Sequence, residues 1–308
     1  MISQGRNALS TGWFAGRRAA IALLAFLAFG PAAMAQTQCA PPVPQTATVE
    51  SSSPIVIGCS FQLPSHILGD TRRINIYLPE HYGDPGRKFP ALYLLDGGER
   101  EDFLHIAGLA QISAAYGNGE ELIVVGIEGV DRRHDLTSPS TSPADLKLLP
   151  TSGGADAYRS FLVKELKPWV AARYHVNGHA ALIGESLAGL FTLQTALSAP
   201  SSFDDYIVIS PSLWWRDGAI SRDAEAMLRR GDFSGRRVFI AFDDPAPPAN
   251  LARKERAQQD QLAASFSAAN PPGLKWKIER PGEGHATIYH PAALRALRWL
   301  YGMQTAAP

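Results

Sequence analysis

The chain has 308 residues, 29 basic against 29 acidic side chains, and 45% hydrophobic content. A neutral balance argues against nucleic-acid binding, which wants a basic face. So much apolar material, with one short N-terminal exception never gathered into a long run, describes a soluble globular protein with a sizeable core.

Residues 1–35 have the layout of a secretory signal. Arg6, Arg17 and Arg18 make a positive leading region, an apolar stretch covers 19–29, and Ala33-Met34-Ala35 matches an A-x-A cleavage site. The apolar stretch is too short to span a bilayer, which takes about 20 residues. The expectation is export to the periplasm or beyond, by the general route rather than a twin-arginine one, with no stable membrane insertion after cleavage. Cys39 follows Gln36-Thr37-Gln38 and not the small residues of a lipobox. Loss of three arginines and no acid leaves the mature chain mildly negative. In an exported protein Cys39 and Cys59 form a disulfide or remain two free thiols, and both readings stay open; two cysteines cannot build a zinc site alone.

Residues 36–54, rich in Pro, Gln, Thr and Ser, form a flexible leader, and one domain follows over 55–308. Segments 55–61 and 73–78 are expected as an opening antiparallel pair, with Ile74, Ile76 and Leu78 at period two. Short apolar runs at 91–95, 122–127, 180–183, 206–209 and 238–242, with 276–278 in addition, have the character of parallel strands covered on both faces. Between them, 155–174 places Tyr158, Phe161, Leu162, Leu166, Trp169 and Val170 on one helical face. Further helices are expected over 190–197, 251–266 and 292–301. Strands alternating with helices imply an α/β fold, a mostly parallel sheet with helices on both faces.

Within this frame Gly184-Glu185-Ser186-Leu187-Ala188-Gly189 lies between a strand and an apolar helix, the context of a nucleophile elbow. Strand and helix pass so closely there that positions two before and two after the serine must be small, as Gly184 and Ala188 are. A serine hydroxyl needs a base to attack at neutral pH. Only His285 and His290 follow Ser186 in the chain. His285, in the glycine-rich loop Gly282-Glu283-Gly284-His285 before the last helix, is the candidate base; His290 is a helix-entry residue. The orienting acid is expected after strand 238–242, where Asp243 and Asp244 stand side by side; Asp244 is taken as the acid, Asp243 is equally placed, Glu255 and Glu283 are further candidates, and a Ser-His pair without an acid is an alternative. Adjacent aspartates before a Pro-rich loop are also ordinary turn formers.

An oxyanion hole would combine the Leu187 N–H with an amide from Gly97 to Glu99, with Gly98 as the candidate. Trp214 and Trp215 are candidate substrate contacts that could equally be core. Arg133 could clamp an anionic substrate or pair with Asp135. Neither His175 nor His179 belongs to an H-E-x-x-H pattern or a clustered ligand set, so no metal site is expected.

Taken together, Ile183 to Gly189 around Ser186, Ala91-Leu92-Tyr93-Leu94-Leu95-Asp96-Gly97, Val125-Gly126-Ile127, Arg133-His134-Asp135-Leu136-Thr137 and Ser210-Pro211-Ser212-Leu213-Trp214-Trp215 resemble the esterase D-like putative esterase family. The similarity runs from about Phe61 to the last helix. It implies an α/β-hydrolase fold and metal-independent hydrolysis of carboxylic esters without a cofactor, with Ser186 and His285 matching the family's nucleophile and base. The family's branch includes esterases of trilactone catecholate siderophores, so a small-molecule siderophore or aryl ester is the expected partner. Two departures stand out: Ala188-Gly189 where Gly-Gly is common, and Asp243-Asp244-Pro245 where relatives carry a Gly-x-x-Glu turn. Acyl transfer by the same residues, and a non-catalytic siderophore or glycan carrier, are the competing readings.

Overall fold

Eight strands hydrogen-bond into one sheet in the order β1-β2-β4-β3-β5-β6-β7-β8 in a computed structural model that describes residues 54–246 and 248–303. The strands are β1 (Cys59–Pro64), β2 (Thr71–Tyr77), β3 (Phe89–Leu95), β4 (Ile123–Ile127), β5 (Val176–Glu185), β6 (Asp205–Ile209), β7 (Arg237–Ala241) and β8 (Lys275–Glu279). β1–β2 and β2–β4 pair antiparallel, and all other neighbours run parallel. The expected signal segment, most of the leader and Cys39 lie outside the described residues. Cys59 opens β1 with its side chain exposed.

β3, β4 and β6 are buried at every position because helices cover both faces. Successive side chains alternate between those faces. Tyr93, Leu95, Val125, Leu182 and Val208 pack on one side, while Leu92, Leu94, Val124, Ile183 and Ile207 pack on the other. The second layer is closed by α1 (Phe103–Ala114) and the last helix. The first is closed by α2 (Ala155–Phe161, continued through a π-turn Leu162–Leu166 into Lys167–Ala171), α3 (Leu187–Ser198), α4 (Ala219–Arg230) and α5 (Ala249–Ala269). The last helix is α6 (Tyr289–Tyr301).

The expected strands are all present, displaced by a few residues at their ends. The first moves most: residues 55–58 are exposed and outside β1, because 59–64 is the stretch that registers with β2. α1 and α4 had no sequence expectation. α1 carries its buried residues at Phe103, Ile106, Ala107 and Ala110, interrupted by Gly108, and α4 buries only Ser221, Ala224 and Leu228 beneath a charged surface.

A charged cluster at the start of β6 is paired. Asp205, fully buried at the start of β6, accepts from Arg237 at 2.6 Å, from the Tyr301 hydroxyl at 2.6 Å and faces His179 Nε2 at 2.7 Å. Burial opposes ionisation of Asp205, but these partners outweigh it and hold its pKa below the usual carboxylate value.

Candidate active site

The parallel strands end together, and the site is built on the residues just beyond them. Ser186 follows β5 with φ 61° and ψ −118°, a conformation that a non-glycine residue holds only under constraint. The constraint is visible. The Ser186 N–H donates to Ile209 O at 3.1 Å, and Ser186 O accepts from Leu190 N at 2.9 Å and Ser212 N at 3.0 Å. A Cβ at Gly184 would stand 2.5 Å from the Ala188 backbone, and one at Gly189 would stand 2.6 Å from Ile209 O. Those approaches are the steric reason for the small residues flanking the serine.

His285 comes from the loop between β8 and α6. Its Nε2 lies 3.1 Å from Ser186 Oγ, while Nδ1 lies 2.6 Å from Ser210 Oγ and 3.5 Å from Asp243 Oδ2. With Nδ1 carrying its hydrogen toward Ser210 and Asp243, Nε2 is free to accept from the serine hydroxyl. Asp243 is buried and further held by Gln259 Nε2, 3.1 Å from its carbonyl oxygen and 3.3 Å from Oδ1. Burial works against its ionisation, yet hydrogen bonds from His285 and Ser210 keep its pKa below normal. Hydrogen bonding to Asp243 in turn raises the His285 pKa above the ordinary imidazole value, with Glu185 adding to the effect.

The structure corrects the acid. Asp244 is exposed where Asp243 is buried, and its Oδ1 accepts from Arg256 at 2.8 Å. Asp243 is the carboxylate that faces the imidazole. Glu283 accepts from the Thr287 hydroxyl at 2.6 Å, and Glu255 stands in the fields of Asp243 and His285 without a contact to the ring among the described residues.

Sequence reasoning missed Ser210. It sits one residue past β6 with φ 41°, buried, where the end of a strand adjacent to β5 was the available signal. It missed Ser212 too, whose Oγ lies 3.4 Å from Ser186 Oγ. It also missed Glu185, whose Oε1 is 3.7 Å from His285 Nε2; burial pushes its pKa up to about 7.

The Leu187 N–H, first in α3, has no hydrogen-bond partner among the described residues and carries the positive end of the helix dipole. Gly98, the expected second oxyanion donor, is corrected: its N–H is taken by Glu101 Oε2 at 2.7 Å. Gly97 N–H donates to Ile127 O at 2.8 Å. Glu99 has the one amide in this stretch without a partner among the described residues. The glycine at 97 serves a close approach, since a Cβ would meet Gly126 Cα at 2.5 Å.

Of the substrate candidates, Trp215 is buried and donates to Ser138 O at 3.2 Å, so it is core. Trp214 packs edge-on against it and is 37% exposed. Arg133 is exposed, and its expected partner Asp135 is instead buried against Arg72. Arg132 is the arginine that enters the cleft, forking onto Asp96 at 2.7 and 3.1 Å within the field of Glu185. His290 faces His105 and Asp102. Those three are the one group of side chains among the described residues spaced to hold a metal ion, assembled from the start of α1, with the residue that caps it, and the start of α6.

The profile of the "Putative esterase" family matches residues 65–266. The chain belongs to this esterase family. Among curated relatives, the esterase is 29% identical over 253 residues to the siderophore enterobactin esterase of Emericella nidulans, covering 70% of this chain and 83% of that one. It is 26% identical over 233 residues to the ferri-bacillibactin esterase BesA of Bacillus subtilis, covering 70% and 80%. Among solved structures, an IroE-like serine hydrolase from Shewanella oneidensis aligns at TM-score 0.71 and 26% identity, covering 79% of each chain. The BES protein from Bacillus cereus, 23% identical, shares the fold at TM-score 0.69 over 82% of this chain and 99% of its own. The esterase has the α/β-hydrolase fold and is an ester-hydrolysing enzyme.

Proposed function

We propose that this esterase cleaves carboxylic esters through an acyl-enzyme on Ser186, with His285 as base and Asp243 as its orienting acid. The observation that carries this is the 3.1 Å contact between Ser186 Oγ and His285 Nε2 at a strained elbow. Ser186 attacks the ester carbonyl while its proton passes to Nε2. The imidazolium is stabilised by Asp243 at 3.5 Å, by the Ser210 bridge at 2.6 Å and by the ionised form of Glu185. The N–H groups of Leu187 and Glu99 receive the oxyanion. Collapse breaks the C–O bond, and His285 protonates the leaving alcohol. Water, deprotonated by the same nitrogen, then attacks the acyl-enzyme and releases the acid.

The substrate class is the oligoester of a catecholate siderophore. Relatives named as enterobactin and ferri-bacillibactin esterases support it, as does the openness of the site: the His285 side chain is 51% exposed, and Trp214 offers an exposed ring two residues past Ser212. Exposed Arg133 would meet the negative charge of a metal-bound catecholate. Export, proposed from the pattern of residues 1–35, would place the enzyme where such ligands arrive.

The test is hydrolysis of a trilactone catecholate siderophore followed by chromatography of the linear products, beside p-nitrophenyl butyrate as a generic ester. Ser186→Ala should abolish both activities and covalent labelling by a fluorophosphonate; retention of either rejects the nucleophile. Cleavage of the generic ester with no turnover of the trilactone rejects the substrate class alone.

A further inference from the structure

Two segments that bracket the cleft meet outside the Ser-His-Asp constellation. Asp102 ends the loop that follows β3, with His105 one turn into α1, while His290 opens α6 five residues beyond His285. His105 Nδ1 and His290 Nε2 are 3.0 Å apart, and Asp102 Oδ1 lies 3.4 Å from the first and 3.5 Å from the second. The two rings stand nearly perpendicular, at 87°, so the nitrogens meet without stacking.

Hydrogen bonding alone does not satisfy this triangle. Each of the two nitrogens can carry a single hydrogen. If both donate to Asp102, the nitrogens stand 3.0 Å apart with no hydrogen between them. If one donates to the other, the carboxylate is left with at most a share of that same hydrogen at 3.4–3.5 Å. A cation at the centre satisfies all three, and the spacing fits: a tetrahedral ion with ligands at about 2.0–2.1 Å holds them about 3.3 Å from one another. The three donors therefore already occupy one face of such a tetrahedron, with the fourth position toward solvent, since His105 and His290 are both exposed.

We propose that Asp102, His105 and His290 bind one divalent transition-metal ion of the zinc type, with an open fourth position, at the rim of the catalytic cleft. Two imidazoles and one carboxylate suit zinc and its neighbours and not magnesium or calcium, which take oxygen ligands. The ion would clamp the start of α1 to the start of α6, and so fix the loop bearing Glu99 against the segment bearing His285. It takes no part in the proton transfers at Ser186, so the site stands or falls independently of the hydrolytic mechanism.

The experiment is calorimetric titration of tag-free, chelator-stripped protein with Zn²⁺ at pH 7.5, together with the visible spectrum of the Co²⁺ form and thermal melts. The wild type should take up one ion per chain with a dissociation constant in the micromolar range or below, show tetrahedral Co²⁺ absorption, and gain thermal stability because only the folded state holds the site. His105→Ala and His290→Ala should each weaken binding by roughly 100-fold and remove the stability gain, since a ligand is lost. His105 is exposed, so its variant tests the site even if the other folds poorly. His285→Ala should bind as wild type. No saturable binding below the millimolar range, binding as tight as wild type in either histidine variant, or loss of binding in His285→Ala would each overturn the proposal.

Discussion

Ser210 Oγ stands 2.6 Å from His285 Nδ1, nearer than the Asp243 carboxylate at 3.5 Å. The serine accepts from the imidazole, and its hydroxyl helps hold the Asp243 carboxylate ionised, so the acid acts on the ring both directly and beside a bridging hydroxyl. Ser210→Ala removes the bridge and leaves the direct contact. We expect kcat to fall by about 10- to 100-fold with KM little changed, less than the 10²- to 10⁴-fold that a positioned acid-base group contributes in full. Stopped-flow acylation with p-nitrophenyl butyrate reads it, and a KM effect without a kcat effect would contradict the bridge.

Asp243 and Asp244 should separate sharply. Asp243→Asn should cost roughly 10³- to 10⁴-fold in kcat, because an amide no longer selects the tautomer or stabilises the imidazolium. Asp244→Asn removes only an exposed pair with Arg256 and should stay within about 2-fold. The reverse order in steady-state kinetics would move the acid back to Asp244.

The acid limb of the pH profile should respond to Glu185. His285 must be neutral to accept a proton, so kcat/KM rises as pH climbs through its pKa, which lies above the ordinary imidazole value. Glu185 is among the groups holding that pKa up. In Glu185→Gln the acid limb should therefore move to lower pH. A limb that stays in place would mean that the carboxylate does not couple to the base.

Gly184→Ala tests the elbow's sterics without touching a reacting group. The added Cβ would meet the Ala188 backbone at 2.5 Å, and backbone cannot swing aside as a flexible side chain can. Overpacking of this kind costs about 1–3 kcal/mol, and the displaced serine should lose most of its activity. Urea melts and fluorophosphonate labelling report the two effects.

Stability should be lost on either side of neutrality through one cluster. The Asp205 pKa is depressed in the fold, so its contribution is complete above the unfolded value of about 3.9 and is lost as pH falls through the folded one. The His179 pKa is raised, chiefly by its hydrogen bond to Asp205, so its contribution is complete below about 6.5 and is lost as pH rises through the folded value. Asp205→Ala leaves Arg237 without its carboxylate and should cost about 3–5 kcal/mol near pH 6. It should also flatten both slopes in urea melts across pH.

What the sequence determined by itself is whatever rests on local sterics and local periodicity. The elbow was legible because Gly184, Ser186 and Ala188 must be small, polar and small at one tight turn. The strands were legible because a sheet covered on both faces demands unbroken apolar runs. α1 and α4 were not, since Gly108 interrupts the apolar face of one and charge dominates the other. Export rests on residues that the structure does not describe. Tertiary structure decided which polar group meets which. Asp243 and Asp244 are equivalent in the chain and opposite in space, because one faces the buried side of its loop and the other solvent. Gly98 kept its amide from the cleft through Glu101, three residues away. Ser210 reached His285 across 75 positions, and His105 reached His290 across 185, only because parallel strands end and their following helices begin on the same side of the sheet.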